Sequence, residues 1–135
     1  MPLQKIEHYL VLSDDMEATR DFYRDALGMS EGPRPPLGFP GYWMYLGDTP
    51  VIHIAEWVTY TTHSNSKGIA VSTRAESTGA IDHIAFTGTG YDEVLARLTS
   101  KGVHADRNEQ PGGRLRQLFL QDPNGVKIEI NFRLA

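Results

Sequence analysis

The 135-residue chain contains no cysteine. Disulfides, thiolate nucleophiles and Cys-ligated metals are excluded together, so any metal chemistry must rest on imidazole and carboxylate groups. No apolar run approaches the ~18 residues of a membrane-spanning helix. Basic residues are scarce, 13 Lys and Arg against 17 Asp and Glu, and the net charge of −4 has the wrong sign for a general nucleic-acid or membrane-surface binder. The start, "MPLQKIEHYLVL", lacks the basic head and small-residue cleavage site of a secretory leader, so a cytoplasmic protein is expected. Of the eight prolines, four stand in "GPRPPLGFPG" at Gly32 to Gly41, which predicts a stiff, non-helical loop near a sheet edge.

What is present reads as one globular domain, 40% hydrophobic and 22% charged. Its organisation is a repeat. "IEH" at Ile6 to His8 returns as "IDH" at Ile81 to His83, each at the start of a strand-like stretch. After the first copy, Met16, Thr19, Phe22, Tyr23, Ala26 and Leu27 fall at helical spacing, with Ser13 or Asp14 as N-cap candidates and Gly28 as the stop. After the second, Val94, Leu95 and Leu98 give a shorter stripe that Gly102 stops. The distance from His to stopping glycine is 20 residues in the first copy and 19 in the second. Three further strands follow each helix, near Met29 to Gly32, Tyr42 to Leu46 and Val51 to Ala55, and near Val103 to Asn108, Leu115 to Gln121 and Val126 to Phe132. "GDTP" and "DPNG" supply the last turn of each half. The expectation is an α+β fold of two βαβββ modules, about 3–56 and 80–133. Between them residues 57–79 should be a mobile connection without period, except for a candidate short strand at Ile69 to Ser72.

Aligning the last strand of each half on its turn places His53 opposite Glu129. His8, His53, His83 and Glu129 then occupy two equivalent positions in two equivalent units. Strand alternation turns Ile128, Ile130 and Phe132 towards a core and Glu129 away from it, and treats Ile52, Ile54 and His53 in the same way. His8 and His83 stand in strands apolar on both faces and should be partly buried. A lone His in a strand is most often a hydrogen-bonded core residue. Three imidazoles and a carboxylate at repeat-related positions point instead to one divalent first-row metal, and His8, His83 and Glu129 alone make the two-His-one-carboxylate face that leaves open positions on non-haem iron. His63 and His104 have no repeat partner and read as exposed. "PGG" at Pro111 to Gly113 reads as a turn, with a flexible lip as the alternative. Arg114 and Arg116 read as surface charge, with an anion anchor as the alternative.

From "IEHYLVLSDDMEATRDFYRDALGM" through "IDHIAF" to "LFLQDPNGVKIEINF", the chain resembles the vicinal oxygen chelate superfamily: glyoxalase I, fosfomycin and bleomycin resistance proteins, methylmalonyl-CoA epimerase and extradiol dioxygenases. The resemblance implies a half-open barrel around one metal, commonly in homodimers, and leaves open whether the site forms within one chain or across a dimer. Glyoxalase I has ligands on the four strands bearing His8, His53, His83 and Glu129, although its family members usually carry Glu where His53 stands. The glutathione-binding Arg and Asn of the bacterial enzymes correspond to Leu12 and Trp57, which disfavours glutathione chemistry. The extradiol iron triad falls on His8, His83 and Glu129, with an acid–base His near His53, while the extradiol active-site Tyr is Phe119 here. Trp43, Tyr45 and Phe119 should line a pocket suited to a planar substrate. The reading is a metal-dependent enzyme, with Fe²⁺ favoured over Zn²⁺, Ni²⁺ or Mn²⁺, acting on a small molecule with two adjacent oxygens. Extradiol oxygenation of a catechol-like aromatic leads narrowly over glyoxalase or isomerase chemistry, and His53 is either a fourth ligand or the acid–base group. A metal-free binding protein of the bleomycin-resistance type is the alternative of another class.

Overall fold

The structure, a computed structural model, describes residues 2–134. Its strands form two separate four-stranded mixed sheets, each with a helix inserted after its first strand. The first contains β1 (Tyr9–Ser13), β2 (Ser30–Gly32), β3 (Gly41–Leu46) and β4 (Thr49–Glu56), in the order β1-β4-β3-β2. The second contains β5 (Ile84–Thr87), β6 (Asp106–Glu109), β7 (Leu115–Gln121) and β8 (Lys127–Arg133), in the order β5-β8-β7-β6. In both, the first strand runs parallel to the last and the remaining pairs are antiparallel. The two βαβββ modules are therefore as expected, and among the described residues the strands close no barrel. The chain divides into two compact units, residues 1–24 with 28–73, and residues 25–27 with 74–135.

Each unit packs the apolar face of its sheet into a core. Met44, Ile52 and Ile54 are fully or almost fully buried in the first, and Leu118, Leu120 and Ile128 in the second. Alternation leaves His53 and Glu129 on the opposite faces, as their strand positions predict. The turn between β7 and β8 is held by Asp122, whose Oδ1 accepts from the backbone N–H groups of Asn124 and Val126 at 2.7 and 2.9 Å.

Helix α1 (Met16–Asp21) is capped by Asp15, not by Ser13 or Asp14: Asp15 Oδ1 accepts from Ala18 N at 3.0 Å. Ser13 is instead buried, sharing a 2.9 Å hydrogen bond with Thr19 Oγ1. The helix continues as a π-helical turn, Phe22–Ala26. Its counterpart α3 (Tyr91–Ser100) is regular throughout. Met16 lies eight residues beyond His8, and Tyr91 eight beyond His83. The first helical run has 11 residues and the second ten, so the π turn absorbs the whole one-residue excess of the first copy. Gly28 and Gly102 then stop the helices at φ 75° and 71°, a left-handed conformation that costs glycine little.

The connection is not the uniform loop that residues 57–79 suggest. Trp57–Ser66 forms a ten-residue helix, α2. Its Val, Thr and Tyr side chains have weak helix propensity and no side chain caps its start, which hides it from a periodicity reading. Packing supplies what propensity lacks. The Tyr60 and His63 rings lie 5.0 and 4.8 Å from the Phe39 ring, so His63 is half-buried in a helix and not exposed in a loop. Beyond Lys67 the connection is irregular and exposed, and no strand forms at Ile69 to Ser72. Residues 33–40 are non-helical, as their prolines require.

Candidate metal centre

The repeated acid–His pairs lie just ahead of their strands, because pairing begins at Tyr9 in β1 and Ile84 in β5. Consequently Ile6 is 95% and Ile81 66% exposed. The two imidazoles are more open than their apolar flanks suggest, with 33% and 37% of the side chains exposed for His8 and His83. Each is tied to the acid before it. His8 Nδ1 lies 2.9 Å from Glu7 Oε1, and His83 Nδ1 lies 2.8 Å from Asp82 Oδ2. A carboxylate accepts, so each imidazole donates its Nδ1–H and keeps Nε2 on the far side of the ring. Asp82 is itself gripped by Lys127 Nζ at 3.0 and 3.1 Å. The hydrogen bond from His83, followed by that from Lys127, holds the Asp82 carboxyl below its ordinary range.

In the first unit the imidazoles form a stack. His8 lies parallel to His53 at 3.6 Å between centroids, and Trp43, directly opposite His53 across β3 and β4, covers its other face at 4.2 Å. His53 is 8% exposed. Burial pushes its pKa down to about 4, with the neighbouring His8 contributing, against a backbone hydrogen bond to Pro50 that favours the protonated ring. A proline offers only its carbonyl, so one His53 nitrogen donates there and the other keeps its lone pair.

In the second unit His83 Nε2 faces Glu129 Oε1 at 3.4 Å. Phe119, directly opposite Glu129 across β7 and β8, matches Trp43 beside His53. Tyr45, by contrast, packs against Gly32, where an added Cβ would stand 2.6 Å from its ring, and donates to Pro33 O at 2.5 Å. Arg116 is committed elsewhere, 3.6 Å over the Tyr91 ring and ion-paired with Glu109 at 3.0 Å. Arg114 is exposed, and so is His104, which bonds Asp106 at 2.9 Å. A groove of about 350 Å³ runs between α2 and Gly38 to Pro40, and none of the predicted site residues lines it.

The four proposed donors thus appear as two pairs, His8 with His53 and His83 with Glu129. Among the described residues, no group of three or more His, Asp or Glu side chains is arranged to hold a metal ion. The donor chemistry nevertheless fits one. Two ligands at about 2.1 Å on adjacent positions of an ion stand about 3.0–3.4 Å apart, the separation of His83 Nε2 and Glu129 Oε1. The stacked His8 and His53, 3.6 Å apart, fit less directly, since imidazoles radiating from one ion have centroids about 4.6–5.3 Å apart and these rings would have to part by about 1–1.7 Å.

Comparison with known proteins identifies the fold and the family. The family model described as Glyoxalase/Bleomycin resistance protein/Dioxygenase superfamily matches residues 5–130. A protein of Arabidopsis thaliana named Glyoxylase I 4 is 30% identical over 134 residues, spanning 95% of this chain and 70% of that protein. Among solved structures, a glyoxalase family protein from Bacillus anthracis aligns with a TM-score of 0.69 at 24% identity, covering 98% of this chain and 97% of its own. Lactoylglutathione lyase from Agrobacterium tumefaciens aligns at 0.62 and 18% identity, covering 98% and 96%. A fosfomycin resistance protein from Listeria monocytogenes aligns at 0.68 and 16%, again covering 98% and 96%. With the repeat, the paired sheets and a family match over nearly its whole length, the chain belongs to the glyoxalase/bleomycin resistance protein/dioxygenase superfamily.

Proposed function

We propose that the chain is a metal-dependent enzyme acting on a small substrate with two adjacent oxygens, and that His8, His53, His83 and Glu129 are the ligands of one divalent ion. The observation that carries this reading is the state of the three imidazoles. Each has one ring nitrogen engaged by an acceptor, Glu7, Asp82 or the Pro50 carbonyl, which leaves the second nitrogen, for His83 the one 3.4 Å from Glu129 Oε1, to meet an ion. Metal-bound histidines have this outer support, which fixes the tautomer and the direction of the lone pair. It also gives the repeated tripeptide a chemical reason: the acid aims the histidine that follows it.

The state of His53 moves the preferred chemistry from extradiol oxygenation to a lyase or isomerase. An acid–base group works best with a pKa near the operating pH, whereas burial pushes His53 down to about 4 and leaves a neutral ring that is only a weak base at neutrality. A ligand needs only the neutral lone pair. Four protein ligands suit zinc or nickel, with iron and manganese as the alternatives. The bound ion would polarise the two substrate oxygens as a Lewis acid. The residues of this chain orient the donors, and Trp43 and Phe119 offer a flat apolar surface beside each pair. The likeness to Glyoxylase I 4 supports this class of chemistry. Leu12 and Trp57 argue for a substrate other than a glutathione adduct, since neither offers a charged group to its carboxylates.

Metal analysis of protein purified anaerobically, with competitive titration of the metal-free form, tests the site. One divalent ion per active site is expected, and Glu129→Ala should stay folded and bind far more weakly, having lost the only anionic ligand. Unchanged affinity in that variant would sink the assignment. Substrate assays test the chemistry. The hemithioacetal of methylglyoxal and glutathione should turn over poorly, and ordinary enzyme rates on it would put glutathione chemistry first. Ring opening of a catechol with iron bound would restore the extradiol reading.

A further inference from the structure

The second sheet carries a row of amides ending at Glu129. Asn108 on β6, Gln117 on β7 and Asn131 on β8 are direct cross-strand partners, on the face that holds Glu129 and Phe119. Asn131 Nδ2 donates to Glu129 Oε2 at 2.8 Å, Gln117 Nε2 to Asn131 Oδ1 at 2.9 Å, and Asn108 Nδ2 to Gln117 Oε1 at 2.7 Å. Gln117 and Asn131 are each only 9% exposed. The row has one polarity, and its end dictates it. An ionised carboxylate can only accept, so Asn131 must present nitrogen to it. Its oxygen then faces Gln117, and the same choice passes to Asn108.

We propose that this row positions Glu129 as a ligand: it occupies Oε2 and leaves Oε1, the oxygen nearest His83, to meet the ion. Asn131 is the positioning residue, and Gln117 and Asn108 fix which way its amide points. The inference rests on the metal reading above and adds the device that aims its carboxylate.

The decisive variant is Gln117→Glu, which keeps the shape and inverts the polarity. The new carboxylate cannot donate to Asn131 Oδ1, so the Asn131 amide turns its nitrogen to residue 117 and its oxygen to Glu129. Through-space attraction alone would make an added negative charge strengthen cation binding. The row requires the opposite sign: Zn²⁺ affinity in competitive titration falls about 10–100-fold, as is usual when outer support of a ligand is lost. Asn131→Leu, which removes the donor without adding charge, should fall within the same range. Equal or tighter binding by Gln117→Glu overturns the proposal, and so does unchanged affinity in Asn131→Leu should the first variant fail to fold. A second measurement needs no metal. In the metal-free wild type the side-chain amide protons of Asn131 and Gln117 should exchange slowly, and Glu129→Ala should speed both; unchanged exchange overturns the row. Slow exchange in a wild-type protein that binds neither Zn²⁺, Ni²⁺ nor Fe²⁺ would defeat the metal reading and leave the row as described.

Discussion

His53 shows how a single position couples stability to chemistry. Its imidazole is neutral because burial between two rings disfavours the charged form. An unfolded imidazole titrates near 6.5, so between that value and about 4 the unfolded chain binds more protons than the native one. The stability this group contributes is complete above about 6.5, falls as the pH drops, and amounts to about 3 kcal/mol across the window. In metal-free protein the urea midpoint should therefore decline between pH 6.5 and 4, and His53→Phe, which keeps a stacked ring, should lack this part of the decline. Parallel slopes for the two proteins would refute the account. At neutral pH His53→Ala should lose metal affinity as a ligand does; full occupancy, where Glu129→Ala is empty, would reassign it as an acid–base group. The equivalence of His53 and Glu129 is legible in the sequence because a turn fixes the register and alternation fixes the face. Glu7 and Asp82 stand in the repeated tripeptide, yet their role emerges only once the Nδ1 contacts are seen. The amide row needs the register of three strands, which no local pattern in "DRNE" or "LRQLFLQ" reveals.

At the scale of elements, the strands and hairpins follow from alternation and turn chemistry, while the helices show where pattern fails. The composition of α2 argues against a helix, and its aromatic contacts with Phe39 oppose that preference. Phe39→Ala should consequently raise amide exchange along Trp57–Ser66 while leaving β3 and β4 protected; equal protection in both proteins would show that the helix stands without this contact. Residues 70–83 should exchange quickly in either case, being exposed and outside regular structure. Composition places the strand starts too early for a related reason. Ile6 and Ile81 have the right composition for strand interiors, but composition cannot tell a paired residue from one preceding the first ladder bond.

For the molecule as a whole, the repeat makes each half of the sequence a βαβββ module with one pair of donors and one aromatic beside it. The modules differ in how the acid before each histidine is held. Lys127 grips Asp82 in the second, and the equivalent residue of the first is Val51, leaving Glu7 without that lysine. Lys127→Met should accordingly weaken Zn²⁺ binding through Asp82 and His83, by less than Asp82→Ala does. An equal loss in the two variants would mean that Lys127 acts by another route.

The π turn at Phe22–Ala26 has a consequence for how such a chain can change length. A regular helix that gains one residue rotates everything beyond it by about 100°, which would swing Tyr23 and Ala26 out of the core. A widened turn takes up the insertion locally and returns the chain to Gly28 in register. Protein engineers can read this as a ready-made slot: the helix after β1 is where a residue can be added or removed while the histidine ahead of it and the glycine behind it keep their places.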